Sequence, residues 1–271
     1  MTALDGAHVL ITGGSRGIGL ATARGVLARG ARVSIVARDA ARLATVEDAL
    51  ETEVGDRTRV AAEPADVTDH EAFENALGLL VAQFGPVDVL ITNAGGATPG
   101  HFERFTETDF TDQMNLNYFG TLNPIRSVVP LMIERGHGHI VMVSSAAGIV
   151  GVYGYSTYSP AKFAVRGLAE VLRAELKPHG IVVACAYPPD TDTPGLEAEN
   201  VTKPAATAAI SATIKVRSPE QVAKAIVRGV ERDRLVITAD GSTAMLARIG
   251  GLVGPAVRAT MDRHVRRTGA A

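Results

Sequence analysis

The sequence lacks the features of disulfide-stabilised, metal-binding and nucleic-acid-binding proteins. It has a single cysteine, Cys185, so no disulfide can form within the chain. Because Cys185 lies in the apolar run 181–186, we expect a buried thiol inside a strand rather than a metal ligand or a nucleophile. The formal net charge is −2 and the basic residues are scattered through most of the chain. We therefore predict a small-molecule ligand, no metal site and no nucleic-acid partner.

Long apolar runs are also missing. No segment reaches the roughly 18 apolar residues that suggest a membrane-spanning helix, and the N-terminus shows no charged region followed by an apolar stretch and a cleavage site. No linker rich in proline, glycine or serine divides the 271 residues. The sequence therefore predicts one large domain and a cytoplasmic location.

Short apolar segments rich in β-branched residues alternate with longer segments of helical period. The predicted strands are residues 7–11, 32–37, 59–62, 87–92, 139–144, 181–186 and 235–238. This alternation predicts an α/β fold, a single Rossmann-type, doubly wound domain over residues 1–240 with a seven-stranded parallel sheet and helices on both faces. The ligand cleft of such a sheet lies at the carboxyl ends of the strands.

Two helix starts follow from capping patterns. Thr68 followed by Glu71 predicts a capping box. Ser218 and Pro219 predict an N-cap and a first helical residue further along the chain.

Tyr158 and Lys162 are four residues apart, so on a helix they share one face, and Ser145 lies thirteen positions upstream. A free tyrosine titrates at roughly pH 10, so a nearby ammonium group must stabilise the phenolate before its proton can move at neutral pH. The pattern predicts a tyrosine that acts as an acid. The alternative is an exposed pair that only supports its helix.

A glycine-rich turn follows the first predicted strand. Gly13, Gly17 and Gly19 stand between that strand and a helix predicted at 20–28, the context in which backbone amides bind a pyrophosphate. Ser15, Arg16 and Ile18 belong to the same turn. The spacing is one residue longer than the standard dinucleotide fingerprint, so a purely structural turn stays open as an alternative.

The end of the second strand predicts the cofactor. An acidic residue there would accept from the ribose hydroxyl of NAD, but the strand ends at Arg38. With Arg16, Arg38 can bind a phosphate, which favours NADP(H). Asp39 follows, and we expect it to cap the helix that begins at Ala40.

Two later strands also end in polar or small residues that suit an adenine edge or a ribose. These residues are Asp66, Val67, Asn93, Ala94 and Gly95. Either segment alone could be a turn, but their shared position after successive strands favours a cofactor site.

Together these features resemble the short-chain dehydrogenase/reductase family over the core to about residue 240. The matching positions are residues 12–19, Asn93, Ala94, Gly95, Asn117, Ser145, Tyr158 and Lys162. Within that family, the chain is similar to the 3-ketodihydrosphingosine reductases. The segments that carry this similarity are 163–170, 186–195, 197–203 and 218–224. Pro188 and Pro189 depart from the Pro-Gly that most of the wider family carries, and the second proline stiffens the loop.

The resemblance implies a role for each polar residue. Tyr158 would donate a proton to the developing alkoxide, and Lys162 would stabilise the tyrosinate and hold the nicotinamide ribose. Ser145 would place the carbonyl oxygen, while Ser144 would bond locally. Asn117 would order a water that links Lys162 to solvent. The resemblance also implies contacts near the nicotinamide from Pro188, Thr191 and Thr193.

Residues 191–212 form an unusually long connection that is rich in threonine, and we predict a lid over the substrate. A mobile surface excursion is the alternative. Tyr153 and Tyr155 lack a lysine four residues on, so we assign them to the substrate wall or the surface.

The predicted activity is NADPH-dependent reduction of a long-chain 3-keto sphingoid base, a lipid-like ketone. Two alternatives stay open. One is reduction of another ketone, such as a 3-oxoacyl thioester, a steroid or a xenobiotic. The other is a non-catalytic NADP(H) sensor with the same fold. The resemblance further implies a homodimer or homotetramer through the long helices that follow Thr106 and Tyr155.

Residues 241–271 form a C-terminal extension that is apolar over 245–255 and basic over 263–267. Such a segment predicts peripheral contact with a membrane surface, and a packing tail or a subunit contact is the alternative. We expect its glycines and Pro255 to break any regular helix.

Overall fold

The computed structural model describes residues 1–268. Seven parallel strands form one sheet in the order β3-β2-β1-β4-β5-β6-β7. The strands are His8–Thr12 (β1), Arg32–Ala37 (β2), Val60–Pro64 (β3), Val89–Thr92 (β4), Gly138–Val143 (β5), Ile181–Ala186 (β6) and Val236–Ile237 (β7). The predicted seven-stranded doubly wound sheet is confirmed. Only the strand ends differ, by at most two residues at either end, and β7 for example has two residues instead of four.

Helices cover both faces of the sheet. They are Gly17–Leu27 (α1), Ala40–Val54 (α2), His70–Phe84 (α3), Glu107–Met114 (α4), Gly120–Arg135 (α5), Tyr158–Leu176 (α6), Pro194–Thr202 (α7), Ala205–Ser211 (α8), Pro219–Glu231 (α9) and Gly241–Arg267 (α10). Side chains of α3, α5 and α6 bury one face, and those of α1, α2 and α9 bury the other. Because both faces are covered, the central strands β1, β4 and β5 are buried along almost their whole length.

The strand order reverses between β1 and β4, which are neighbours in the sheet although two strands separate them in the chain. At such a switch point the connections leave toward opposite faces and open a crevice at the carboxyl ends of the strands. Cys185 lies inside β6. It is buried as predicted, and burial raises the pKa of its thiol to about 11.

One of the two predicted helix caps is confirmed and the other is wrong. Ser218 forms a capping box with Gln221 at the start of α9, as expected. The capping box predicted at Thr68 is wrong, because α3 begins later and Asp69 caps it by accepting from the amide of Ala72 at 3.0 Å. The amide and hydroxyl of Thr68 instead donate to Asp66, at 2.9 and 2.8 Å, and so shape the turn after β3.

The connection predicted as a long loop at 191–212 contains α7 and α8. The hydroxyl of Thr193 accepts from the amide of Leu196 at 3.2 Å, and Pro194 supplies the first helical residue. A capped start with proline in the first turn is a helix signal that outweighs the small, threonine-rich composition.

The C-terminal segment was expected to contain no regular helix, and this expectation is wrong. Residues 241–267 are helical, with one non-helical residue, Ile249, at φ −128° and ψ 23°. The chain bends there, and Pro255 lies inside the second helical piece instead of ending it. Residues 269–271 of the predicted extension lie outside the described residues. Within residues 1–268, no helix is both long and apolar enough to cross a membrane.

Candidate functional site

A cleft of about 1060 Å³ opens at the carboxyl ends of β1, β2 and β4 to β6. The predicted site residues that line it are Gly13, Ser15, Arg16, Gly17, Ile18, Arg38, Asp66, Val67, Asn93, Ala94, Gly95, Ser145, Tyr158, Lys162, Pro188, Thr191 and Thr193. Gly19 and Asn117 lie behind the cleft wall. The structure therefore brings nearly all the predicted residues to one crevice.

The glycine turn at one end of the cleft depends on missing side chains. Gly13 and Gly17 have φ values of +66° and +54°, which side chains disfavour. A Cβ at Gly19 would stand 2.3 Å from the carbonyl oxygen of Gly13. The turn can therefore be this tight only with glycine at these positions. It leads into the N-terminus of α1, where free amides and the helix dipole favour an anion.

Asn93 and Thr12 join this turn to the end of β4. The amide nitrogen of the Asn93 side chain donates to the carbonyl oxygens of Thr12 and Gly13, at 3.2 and 3.1 Å. The hydroxyl of Thr12 accepts from the backbone amides of Asn93 and Ala94, both at 3.1 Å. The side-chain nitrogen of Asn93 therefore holds the glycine turn, a role that its position in the sequence did not reveal.

Arginine side chains also line the cleft. Arg38 and Arg16 reach it as predicted, and Arg42 joins them from the first turn of α2. A carboxylate oxygen of Asp39 accepts from the amide of Arg42 at 3.0 Å, which confirms its predicted capping role. Asp66 lies 3.7 Å from the Arg38 guanidinium. Sequence reasoning missed Arg42, which lies in the first turn of α2, just after the cap residue Asp39.

The predicted chemical residues meet at the start of α6. Tyr158 is its first residue, and the ammonium nitrogen of Lys162 lies 5.7 Å from the centre of the Tyr158 ring. That nitrogen donates to the carbonyl oxygen of Val143 at 3.0 Å. Ser145 follows β5, and its hydroxyl accepts from the amide of Ala147 at 3.1 Å. Ser144 is buried, and its hydroxyl donates to the carbonyl oxygen of Lys162, 18 positions further along the chain, at 2.8 Å.

Burial controls the charges of this pair. It lowers the pKa of Lys162 to about 8. It also raises the pKa of Tyr158, and the negative charge of Glu199 adds to this rise, while the nearby Ser145 hydroxyl acts in the opposite direction. Burial therefore disfavours the Lys162 ammonium and the Tyr158 phenolate when either one is charged alone. An ammonium and a phenolate in one dry site stabilise each other.

Asn117 lies in a π-helical turn, Asn115–Phe119, between α4 and α5. Its side-chain oxygen accepts from the amide of Gly96 at 3.2 Å, and its nitrogen donates to the Gly96 carbonyl at 2.9 Å. A Cβ at Gly95 would stand 2.8 Å from the Asn117 oxygen and 3.1 Å from the Lys162 nitrogen. Asn117 and Lys162 therefore converge on one stretch of backbone. Single π turns are frequent at functional sites.

Asn123, which has no predicted role, supports the cleft from α5. Its side-chain nitrogen donates to the carbonyl oxygen of Val67 at 3.0 Å. Because Val67 follows β3, this bond fixes the loop that forms one wall of the cleft.

Tyr153 and Tyr155 lie in different parts of the structure. Tyr155 is buried in the cleft wall, and its hydroxyl donates to Glu199 at 2.9 Å. Tyr153 lies outside this cleft, in contact with His101, where the ring centres are 6.2 Å apart. Asp190 and Glu199 also line the cleft, and sequence reasoning missed both.

A family model described as short chain dehydrogenase matches residues 7–204. The chain belongs to the short-chain dehydrogenase/reductase family. It is therefore an oxidoreductase, and its family uses nicotinamide cofactors. It is 45% identical over 227 residues to a 3-dehydrosphinganine reductase of Danio rerio, covering 83% of this chain and 68% of the relative. It is 43% identical to a 3-ketodihydrosphingosine reductase of Dictyostelium discoideum, covering 90% and 78%.

Solved structures agree with the fold. The structure of ElxO with NADP bound has a TM-score of 0.77 and 28% identity, and the match covers 88% of this chain and 98% of that one. Levodione reductase has a TM-score of 0.80 and 26% identity, covering 89% and 98%.

The cleft of this oxidoreductase fits a nicotinamide dinucleotide. The glycine turn leaves open the space that side chains would fill, and a helix N-terminus faces it. At one end the cleft contains guanidinium groups, and at the other it contains the Tyr158 and Lys162 pair. Anionic and redox-active parts of one ligand can therefore bind at opposite ends of the same crevice.

The tightness of the glycine turn can be tested by Gly19→Ala. Its added methyl group meets the Gly13 carbonyl, and we expect the free energy of unfolding to fall by about 1–3 kcal/mol, with weaker NADPH binding. Denaturant unfolding and NADPH fluorescence titration measure the two effects. Gly78→Ala is the matched control, because nothing lies within 4 Å of a Cβ there. An unchanged Gly19→Ala protein would contradict this account of the turn.

Proposed function

We propose that this oxidoreductase uses NADPH to reduce 3-ketodihydrosphingosine, a long-chain ketone, to dihydrosphingosine. The observation that carries the proposal is that Tyr158, Lys162 and Ser145 share one cleft with an apolar wall. The 43–45% identity to sphingoid-ketone reductases over most of the chain supports the choice of substrate.

In this proposal the chain's own residues place the ketone and supply its proton. Bound NADPH supplies the hydride to the carbonyl carbon. The carbonyl oxygen lies against the hydroxyls of Ser145 and Tyr158, and Tyr158 gives its proton to the developing alkoxide. The Lys162 ammonium then stabilises the tyrosinate. Asn117, behind Gly95, would order the water through which Lys162 exchanges protons with solvent.

The arginine cluster supports NADPH over NADH. Arg16, Arg38 and Arg42 can bind a 2′-phosphate with planar, permanently charged donors. Asp39, the acid that directly follows Arg38, could select NAD(H), but its carboxylate instead accepts from the amide of Arg42 at the start of α2. The charge at this end therefore suits a dinucleotide with one additional phosphate.

An apolar wall supports a long-chain substrate. It is made by side chains from α8, the turn after it, and α10, namely Ile210, Ile214, Met245, Leu246 and Val257. Burial of a hydrocarbon chain against such a wall contributes about 0.8 kcal/mol for each methylene group. We propose that α7 and α8, within the predicted lid at 191–212, cover this chain.

We also propose two contacts with larger partners, a membrane surface and a second copy of the chain. Met245, Ile249 and Leu252 of α10 are exposed apolar side chains, which supports peripheral membrane contact where a lipid substrate is found. Phe163 and Val171 of α6 are exposed as well, which supports a homodimer or homotetramer.

Tyr158→Phe tests the proton donor. We expect ketone reduction to fall at least about 100-fold, because the ring stays and only the hydroxyl is lost, while the Kd for NADPH changes little. NADPH oxidation with 3-ketodihydrosphingosine measures the rate, and a short-chain 3-oxoacyl thioester serves as the rival substrate. Tyr153→Phe, outside the cleft, is the control. Full activity of Tyr158→Phe would remove the tyrosine from the mechanism, and preference for the thioester would overturn the substrate.

Arg38→Ala tests the cofactor choice. Loss of a charge-assisted phosphate contact is expected to raise the Kd for NADPH about tenfold or more, with little change for NADH. Fluorescence titration with both dinucleotides measures this. Arg57→Ala provides the comparison, since that side chain is 83% exposed and outside the cleft. An equal loss of affinity for both dinucleotides would contradict phosphate recognition by Arg38.

Leu246→Asn tests the apolar wall. A polar side chain there is expected to lower kcat/KM for an 18-carbon ketone about tenfold, since roughly 1.5–3 kcal/mol favours a buried leucine. An 8-carbon analogue, which cannot reach α10, should lose much less. Leu252→Asn is the matched control on the same helix, at 82% exposure. Equal losses for both chain lengths would place the hydrocarbon chain elsewhere.

A further inference from the structure

An acidic group stands beside the proposed proton donor. Glu199 of α7 and Asp190 both line the cleft that contains Tyr158. The hydroxyl of Tyr155 donates to a carboxylate oxygen of Glu199 at 2.9 Å, and the rings of Tyr155 and Tyr158 have centres 5.7 Å apart. Within the described residues, Tyr155 is the sole side-chain hydrogen-bond donor to Glu199. The carboxylate therefore has capacity to accept from a ligand.

The charges around Glu199 leave an excess of one negative charge. Lys203 is the nearby cation, and its nitrogen lies 3.8 Å from the carboxylate of Asp190. Its side chain is only 3% exposed, so it is committed to this local pair. Lys162 donates to the carbonyl oxygen of Val143, deeper in the fold. Two carboxylates thus line the cleft near Tyr158, and the ammonium of Lys203 is paired with one of them outside the cleft lining.

These negative charges offset part of the stabilisation that the Lys162 ammonium would give the tyrosinate, and a positive charge on the substrate would compensate for them. The negative charges of Glu199 and Asp190 raise the pKa of Tyr158, which disfavours the tyrosinate. An uncharged ketone that filled the cleft would also strip water from Glu199 and give it no partner. A cationic group on the substrate would remove both costs.

A 3-keto sphingoid base carries such a group. Its primary amine is bonded to the carbon next to the ketone carbon, so a carbonyl placed at Ser145 and Tyr158 brings the amine to the same end of the cleft. A 3-oxoacyl thioester or a steroid ketone has no cation at this position.

We propose that Glu199, oriented by Tyr155 and assisted by Asp190, binds the ammonium group of the aminoketone and sets the specificity for it. This inference rests on the proposed function. The ammonium donates to the free carboxylate positions of Glu199 in a charge-assisted hydrogen bond. The negative charge in this part of the cleft then acts as a selection device against neutral ketones of the same length.

Two ketones of equal chain length test the inference: 3-ketodihydrosphingosine and 1-hydroxyoctadecan-3-one, which lacks only the amine. We expect the unsubstituted protein to prefer the aminoketone at least about tenfold in kcat/KM. Glu199→Gln removes the charge and keeps an acceptor for Tyr155, so this preference should fall about tenfold or more, mainly through the KM of the aminoketone. Asp190→Asn should lower it less.

Glu197→Gln is the matched control. Glu197 is an exposed residue of the same helix that does not line the cleft, so its substitution should leave the preference unchanged. Thermal unfolding and NADPH titration of Glu199→Gln show whether it folds and binds cofactor. If Glu199→Gln does not fold, the unsubstituted protein is tested instead with two inhibitors, dodecylamine and dodecan-1-ol. We expect the inhibitory concentration of the amine to be at least about tenfold lower than that of the alcohol.

Four outcomes would overturn the inference. Equal use of both ketones by the unsubstituted protein removes amine recognition but leaves the proposed ketone reduction in place. An equal fall in kcat/KM for both ketones in Glu199→Gln assigns Glu199 to orienting Tyr155 alone. Equal inhibition of the unsubstituted protein by the amine and the alcohol would also contradict recognition of the amine. Reduction of neither ketone, with NADPH bound, removes the proposed function and the inference with it.

Discussion

Burial of the Lys162 ammonium is the constraint on which the rest of the site depends. The residue is 3% exposed, and its nitrogen donates to one carbonyl oxygen, that of Val143. An ammonium this poorly solvated lowers its energy most by gaining a negative partner, and the phenol of Tyr158, whose ring centre lies 5.7 Å from the nitrogen, can supply one. The surrounding structure holds the Lys162 side chain in this buried position. Ser144 fixes the backbone of Lys162, and Gly95 leaves room for its nitrogen beside Asn117.

The parallel sheet brings these groups together because its carboxyl edge collects the ends of several strands. Residues that follow β1 and β4 bond to one another through Thr12 and Asn93, so the glycine turn and the backbone near Gly95 form one unit. Asn117 ties that unit to the π turn before α5 through Gly96. Dinucleotide-facing and substrate-facing groups therefore share one framework, and a shift at either end is transmitted through backbone contacts.

The sequence predicted what depends on local pattern and missed what depends on distant contacts. Buried parallel strands are continuous apolar runs, so all seven were found, whereas the cap of α3 moved by one residue because Asp69 outcompeted Thr68. Residues 191–212 looked like a loop because a composition rich in threonine hides a capped helix start at Thr193. Glu199 was invisible, since its partner Tyr155 lies 44 positions away and no spacing rule relates them.

The cleft is polarised along its length, and this polarity has a consequence for how two ligands share it. Guanidinium groups of Arg16, Arg38 and Arg42 attract the most anionic part of a dinucleotide to one end. At the other end Glu199 repels phosphate and favours a cation, while the wall beyond it, made by α8 and α10, is apolar. A dinucleotide bound in reverse would place phosphate against a carboxylate. On the proposed function, this charge pattern favours one direction of the bound cofactor and leaves the acidic, apolar end for a substrate with a cationic head and a hydrocarbon chain.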